Sequence, residues 1–567
     1  MLRRSGAIIA VILAIIVIGS SVYVFYHGKS QPVAKTLTYY AQYDVSSLDP
    51  ADAYDSGSFI PIQNSYDTLI TYPMTTIGTL VPDLATSWNV SSNGLVYTFH
   101  LRHNVTFSNG DPLTAQDVVF TFDRILTMNS PSSGVAWIDS QDLNTSSIVA
   151  LGNYTVQFTL THVFNPFLET LATVEPNGIV DKKVVEAHGG VAANQDNGWM
   201  TNNTVGTGPY TVLSWIKEQQ VVLVPNPHYW GRGNSSHYTR IVILLNTQPS
   251  TAVSAARSGS ATIADIPFSE AASLSGSTNI KVISSPVPRT KMVAFDINST
   301  DSFMANQSVR VALSWAFPYK QVIDTAFLTY ASPLNGPVPK QIYLGSQSMP
   351  TKYYGYNISK AASILDQAGF TNNSNGQRFN GTALTFYAES TVGWETTIGQ
   401  LYQASLAKIG ITLNVKSVPS STFGAEQSTN TWDMMVARWG PDYNDPSDYA
   451  LPFVGGAYIG GDAYGTHYNN SVINSAILDA MSTTNLTKEI ADYHVVWGQE
   501  NMNPSLIFVA VTDHIAAVSN SLTNFSYNAI ITYNFFHYYP SPLGGSSAAY
   551  VVPLETSVVF VSRHSFL

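Results

Sequence analysis

The sequence predicts an α/β protein with more than one hydrophobic core, and three observations predict it. The chain has 567 residues, 45% hydrophobic and 11% charged, long enough for two or more cores and too apolar to stay disordered. Between residues 308 and 415, helical spacing and strand-like runs alternate, the pattern of a mainly parallel sheet covered by helices. Leu84 to Leu126 reads as strand, turn and capped amphipathic helix, a compact α+β unit of its own.

Composition narrows the function classes. The formal net charge is -11 and no Lys/Arg run is present, so the clustered cations that bind phosphate backbones are missing. With no cysteine there is no disulfide framework, thiolate metal site, Cys nucleophile or lipid-anchored cysteine. Ala7 to Tyr26 (AIIAVILAIIVIGSSVYVFY) is apolar and uncharged and would span roughly 30 Å as a helix. Arg3 and Arg4 before it stay cytoplasmic by the positive-inside tendency. Residues 1–28 therefore read as a transmembrane anchor or a cleaved signal segment, and both readings export the remainder of the chain. Residues 29–36 are a polar linker, and the chain has no second apolar stretch of this kind. Many Asn-x-Ser/Thr sequons, among them Asn89, Asn104, Asn153, Asn298, Asn357 and Asn524, fit an extracellular glycoprotein surface.

Taken in order, Leu37 to Tyr43 alternates as a strand, and its carboxyl end at Tyr43 and Asp44 is where open α/β sheets place ligand-binding loops; the competing reading makes either one a surface turn residue. Val96 to Leu101 (VYTFHL) is the strand of the α+β unit. Ser91 to Gly94 is the turn before it, and Thr114 caps the helix with Asp117 as its capping-box partner. Tyr154 to Leu160 is a further strand. Gly206-Thr207-Gly208-Pro209 reads as a loop whose glycines take special φ; it lacks the Lys-Ser/Thr of a phosphate-binding loop. Ile241 to Leu245 is a strand and Ser250 to Arg257 a helix stopped by Gly259. Ser308 and Ser359 are expected to cap the next two helices, and Trp394 to Ile409 forms a third, followed by the strand Ile411 to Val415. Lys488 to Met502 is a helix and Ser505 to Val511 a strand.

The functional residues are expected in Trp432 to Tyr449, WDMMVARWGPDYNDPSDY, as a strand ending in a turn. A carboxylate, Asp442, held against an aromatic wall, Trp439, in a closing cleft suits a cation, because a charge-assisted bond strengthens as water leaves. The competing reading makes Asp442 a turn carboxylate bonding its own backbone. Arg438 pairs with Asp442 or with a ligand carboxylate, and Tyr443 completes the candidate set.

Two blocks carry a resemblance. WNVSSNGLVYTFHLR with FSNGDPLTAQDVVFTF, and GTGPYTVLSW with PNPHYW, resemble the signature regions of family 5 (cluster C, peptide-type) solute-binding proteins of ABC importers. SSLDP, SVRVALSWAF and RWGPDYNDP resemble further segments of that family, although Arg438 stands where it usually has glycine. The resemblance implies a two-lobed, type II periplasmic-binding-protein-like fold with an extra subdomain inserted in lobe I. The divisions implied are lobe I at 37–65, 206–290 and 516–567, the insertion at 66–205 and lobe II at 291–515. It further implies that Asp442 accepts a peptide's α-ammonium, that Trp439 walls the pocket, and that a membrane permease with separate ATPase subunits is the partner of a monomeric receptor. Oligosaccharide binders share the fold, so a sugar ligand is the alternative.

Other classes fit less well. Asp442 and Asp445 could form a glycosidase carboxylate pair, but the chain has neither a G-x-S-x-G elbow nor an H-E-x-x-H motif. His100 and His103 lie in the structural block and read as non-metal residues. No cofactor is implied, and a surface adhesin would be expected to show internal repeats, which the sequence lacks.

Overall fold

A computed structural model describes residues 35–231, 238–298, 303–348, 354–429, 432–456 and 464–540. Residues 1–34, on which the anchor or signal expectation falls, lie outside them; no described helix is long and apolar enough to cross a membrane.

In chain order the principal strands are β1 (Thr36–Tyr40), β2 (Ala85–Val90), β3 (Val96–Leu101), β4 (Ile148–Gly152), β5 (Thr155–Thr159), β6 (Tyr210–Ile216), β7 (Gln220–Pro225) and β8 (Arg240–Leu244). They continue as β9 (Ile263–Asp265), β10 (Ile280–Phe295), β11 (Ala331–Pro333), β12 (Leu384–Glu389), β13 (Leu413–Val418), β14 (Met434–Trp439) and β15 (Leu506–Ser519). Eleven of them make one sheet in the order β13-β12-β14-β10-β15-β9-β1-β8-β7-β6, with β11 on β15. β10 and β15 are long antiparallel strands shared by both halves of the sheet. The carboxyl end of β10 pairs with β14, and the carboxyl end of β15 pairs with β9. The register of β10 against β15 shifts between Ser285 and Arg289, across Pro286-Val287-Pro288, where a proline has no N–H to give the ladder.

The sheet is mixed rather than mainly parallel, which corrects the expectation. Parallel pairs occur where a helix returns the chain, as in β12 with β13, and where β1 lies between β8 and β9. The two shared strands run antiparallel to each other and to their neighbours β14 and β9, because the chain crosses the sheet's midline once each way.

The α+β unit is a separate four-stranded antiparallel sheet, β2-β3-β5-β4, backed by the helix Ala115–Met128. Alternation along β3 buries Tyr97, Phe99 and Leu101 on one face. Phe99 and Phe122 both meet Phe158 edge to face, at 5.6 and 4.9 Å between ring centroids. Thr114 and Asp117 form the expected capping box, with the Thr114 N–H donating to Asp117 Oδ2 at 2.8 Å. Arg124 of this helix lies in a fully buried bidentate ion pair with Asp49, the acid of the SSLDP segment.

Two local expectations change. Asn306 and Asn357, not Ser308 and Ser359, cap their helices, accepting from the N–H of Ser308 and of Lys360, both at 2.9 Å. The Asn side chain reaches the free first-turn amide that a serine two residues later would leave uncovered. Gly206 and Gly208 are required by close approach, not by special φ: a Cβ on Gly206 would lie 2.2 Å from the Ser65 carbonyl oxygen, and one on Gly208 2.5 Å from its carbon.

Candidate functional site

β14 delivers the site. It is buried from Met434 to Ala437, its end is pinned beside β10 by the pairing Thr290↔Trp439, and the chain then turns through Gly440 and Pro441 to Asp442. The Asp448 carboxylate fixes that turn, accepting from Trp439 Nε1 at 3.3 Å and from the Asp442 N–H at 3.2 Å. The indole and the carboxylate kept at fixed sequence spacing are thus held as one rigid unit.

The rest comes from residues far earlier in the chain. Tyr54 Oη donates to Asp442 Oδ2 at 2.6 Å, and Trp137 Nε1 donates to Tyr54 Oη at 3.0 Å. Thr173 Oγ1 donates to the Asp442 carbonyl at 2.7 Å. Beside them the Asn444 amide donates to the Ile77 carbonyl at 2.7 Å. Asp442, partly open to solvent, therefore lies where the segment after β14 meets residues some 270 to 390 positions earlier. No cationic side chain among the described residues pairs with it. Burial raises its carboxyl to about 7, against the lowering effect of the Tyr54 hydrogen bond. Asp448 is pushed well up as well, by burial first and by Asp442 second.

The turn reading of this segment belongs to a different acid. Asp445 Oδ1 accepts from the Ser447 N–H at 2.9 Å and its hydroxyl at 2.7 Å, closing the local turn, while the side chain of Asp442 points across to Tyr54.

Other candidates are placed differently. Arg438 does not pair with Asp442: its guanidinium holds Glu389 at 2.6 Å and Glu395 at 2.7 Å, because β12 and the helix Gly393–Leu406 present those carboxylates on its own side. Tyr443 is fully buried, with its hydroxyl 3.2 Å from Ser447 Oγ and its ring 6.3 Å from that of Trp137, so it supports the turn from inside and is not an open wall. Asp44 turns its carboxylate onto the Val45 N–H at 2.8 Å, the turn role. Tyr43 is 45% exposed at the end of the first strand segment. His103 stacks on Tyr154 at 4.1 Å, and the described residues contain no group of three or more His, Cys, Asp or Glu arranged to hold a metal.

Sequence reasoning missed Tyr54, Trp137 and Thr173. Nothing in their local sequence marks them, since each acts only because the fold carries it to Asp442.

With this geometry in place, the comparisons with known proteins identify the class. The chain belongs to the bacterial extracellular solute-binding proteins, family 5, whose middle-region model matches residues 79–461. It is 26% identical over 495 residues to a probable D,D-dipeptide-binding periplasmic protein of Escherichia coli, covering 86% of this chain and 90% of that one. It is 27% identical to a di/tripeptide-binding protein of Pseudomonas aeruginosa, over 73% of this chain and 78% of that one. Among solved structures it is similar to the periplasmic binding protein DppA of Helicobacter pylori in complex with the peptide STSA, with TM-score 0.76, 25% identity, and 89% and 98% of the two chains covered. The oligopeptide-binding protein AppA of Bacillus subtilis, in complex with a nonapeptide, shares the two-lobed fold at TM-score 0.77 and 18% identity, with 90% and 100% covered.

Proposed function

We propose that this protein is the extracytoplasmic receptor of an ABC importer and captures a short peptide between its lobes, with Asp442 taking the peptide's α-ammonium. One observation carries the reading: Asp442 is largely withdrawn from bulk water where the segment after β14 meets Tyr54, which orients it, with no protein cation to neutralise it among the described residues. A buried carboxylate in that state is costly, and an incoming ammonium offsets the cost by a charge-assisted bond in a water-poor site. Because Asp442 belongs to one lobe and Tyr54, Trp137 and Thr173 to the other, a ligand touching this group favours the closed arrangement, a hinge-type population shift. The peptide names of the relatives and the bound peptides in two similar structures support the same ligand class. The loaded receptor then docks on a membrane permease driven by separate ATPase subunits. It is tethered through residues 1–28 or released after their removal, and mass spectrometry of the mature chain distinguishes the two.

The test is calorimetric titration of wild type and Asp442→Asn with a free-amine dipeptide and its N-acetylated form. Wild type should prefer the free amine strongly and the variant should lose that preference. Equal weakening of both peptides removes the ammonium role, and saturable binding of malto- or cello-oligosaccharides in place of peptides transfers the receptor to sugars.

A further inference from the structure

Asp139 and Asp142 are buried side by side without a counterion. They follow the 3-10 helix Val135–Ile138, three residues apart on a helical turn in which the Leu143 N–H donates to the Asp139 carbonyl at 3.2 Å, so the two side chains leave it on one side. Each residue is 1% exposed, yet none of their four carboxylate oxygens has a hydrogen-bond partner, and no Lys, Arg or His among the described residues pairs with them. The main chain around them is satisfied: the Asp142 carbonyl accepts from the Thr161 N–H at 2.9 Å and from its hydroxyl at 3.1 Å. A third oxygen donor meets the pair. Asn177, also 1% exposed, ends the short helical turn Val174–Asn177. Its Nδ2 donates to the Thr170 carbonyl at 2.9 Å, its amide lies against the Asp139 carboxylate, and its Oδ1 is buried with no donor. Burial pushes Asp139 up to about 7 and Asp142 well above the usual carboxylate range, with the Asp139 charge as the second cause for Asp142. The Asn177 amide and the N–H of Asp142 itself oppose this, but neither makes a well-formed hydrogen bond to a carboxylate.

Five oxygens from three side chains therefore share one dry region with nothing to satisfy them. Buried carboxylates are normally paired or bound to a metal ion. The donors here are carboxylate and amide oxygens, with no imidazole or thiolate, a set for a hard cation and not for Zn²⁺. Ca²⁺ accepts carboxylates through one or both oxygens, together with amide and main-chain carbonyls, in irregular geometry, whereas Mg²⁺ demands a near-ideal octahedron and keeps its waters. Only two of the three side chains are acids, so the set differs from a cluster of three or more His, Cys, Asp or Glu, of which the described residues hold none.

Position connects this group to Asp442. Trp137, two residues before Asp139, donates to Tyr54, which holds the Asp442 carboxylate. Thr173, whose carbonyl accepts from the Asn177 N–H at 3.3 Å, donates to the Asp442 carbonyl. We propose that Asp139, Asp142 and Asn177 hold a calcium ion that fastens the Trp137 and Thr173 segments to each other and so positions both on Asp442. The effect on a ligand rests on the peptide reading of Asp442; the cation site itself does not.

The experiment uses the full chain, stripped with a chelator and then freed of it. Calorimetric titration with calcium chloride should show saturable binding, the melting temperature should rise with Ca²⁺, and Mg²⁺ should be far weaker on both counts. Tb³⁺, which takes the same oxygen ligands, should emit on excitation of tryptophan, because Trp137 adjoins the site, and Ca²⁺ should displace it. Asp139→Asn and Asp142→Asn should each weaken Ca²⁺ by roughly tenfold or more. Neither should melt below stripped wild type, since each removes one charge of an unpaired buried pair. No Ca²⁺ binding by wild type, or full affinity in both variants, overturns the site. If the acid variants do not fold, Trp137→Phe decides: loss of the Tb³⁺ emission with Ca²⁺ affinity kept places the ion beside residue 137, and unchanged emission overturns that placement. A free-amine dipeptide should bind wild type about fivefold tighter or more with Ca²⁺ than without it. Ca²⁺ that binds without changing dipeptide affinity overturns the positioning role and keeps the ion. A dipeptide that binds neither form overturns the peptide reading and leaves the ion standing, because melts and emission report it without peptide.

Discussion

Asp49 is sealed from water and Asp442 is largely withdrawn from it, and the protein treats them in opposite ways. Asp49 is met by Arg124 in a bidentate pair whose two side chains are 0% and 1% exposed, so its charge is cancelled inside the fold. Asp442 is met by a neutral phenol, and burial leaves its carboxyl ionising near 7. The first arrangement joins the α+β unit to the segment that follows β1 and needs nothing from outside. The second has no protein cation among the described residues, and under the proposed function the ligand's ammonium completes it.

The largest effect should come from breaking the scaffold pair. Arg124→Met leaves the Asp49 carboxylate buried alone, and removing one partner of a buried pair costs roughly 3–5 kcal/mol. Denaturant unfolding should show it, whereas the double variant Arg124→Met/Asp49→Leu should recover a large part of the loss. Recovery of nothing would mean that Arg124 acts through packing instead of charge.

Asp442→Asn should do the reverse: little loss of stability, with loss of free-amine ligand on the order of 2–5 kcal/mol, the range for truncating one side of a desolvated charge pair. A thermal melt and a titration on the same preparation separate the two effects. A melting temperature falling as far as that of Arg124→Met would place Asp442 in the scaffold class.

Acidity sharpens the contrast. The native Asp442 carboxyl keeps a proton up to about 7, while an unfolded one loses it near 3.9, about three units lower. Between those values the native state binds more protons, so its contribution to stability is full below about 4 and is lost as pH rises through 7. Asp448 is raised as well and acts in the same direction. Asp442→Asn should flatten the decline in unfolding free energy across that window. Ligand binding runs the other way. The ammonium needs the ionised carboxylate, so affinity should climb with pH toward 7 and fall again above about 8, as the peptide's own amine deprotonates. Affinity independent of pH from 5 to 7 would contradict this.

The smallest effect belongs to local scaffold. Thr114→Ala removes half of the capping box and should cost about 1 kcal/mol without changing ligand affinity.

The α+β unit was legible because its determinants are local. Alternation in Val96 to Leu101, the turn at Ser91 to Gly94 and the Thr114/Asp117 cap each act within a few residues, and the structure keeps them all. Caps two residues off, at Asn306 and Asn357, show the limit of such rules where several polar residues compete. Asp442 and Trp439 are singled out by their spacing and resemblance, and in the structure the nearby Asp448 holds the two together.

By itself, the sequence determined the building units, the family and the turn that carries Asp442, because propensity, periodicity and spacing are properties of neighbouring residues. Tertiary structure alone decided that β10 and β15 run through both halves of the sheet, that Arg438 spends its charge on Glu389 and Glu395, and that Tyr54, Trp137 and Thr173 close on Asp442. The physical reason is range. Whether a buried charge is cancelled depends on which distant groups the fold brings within a few ångströms, and no local pattern records that.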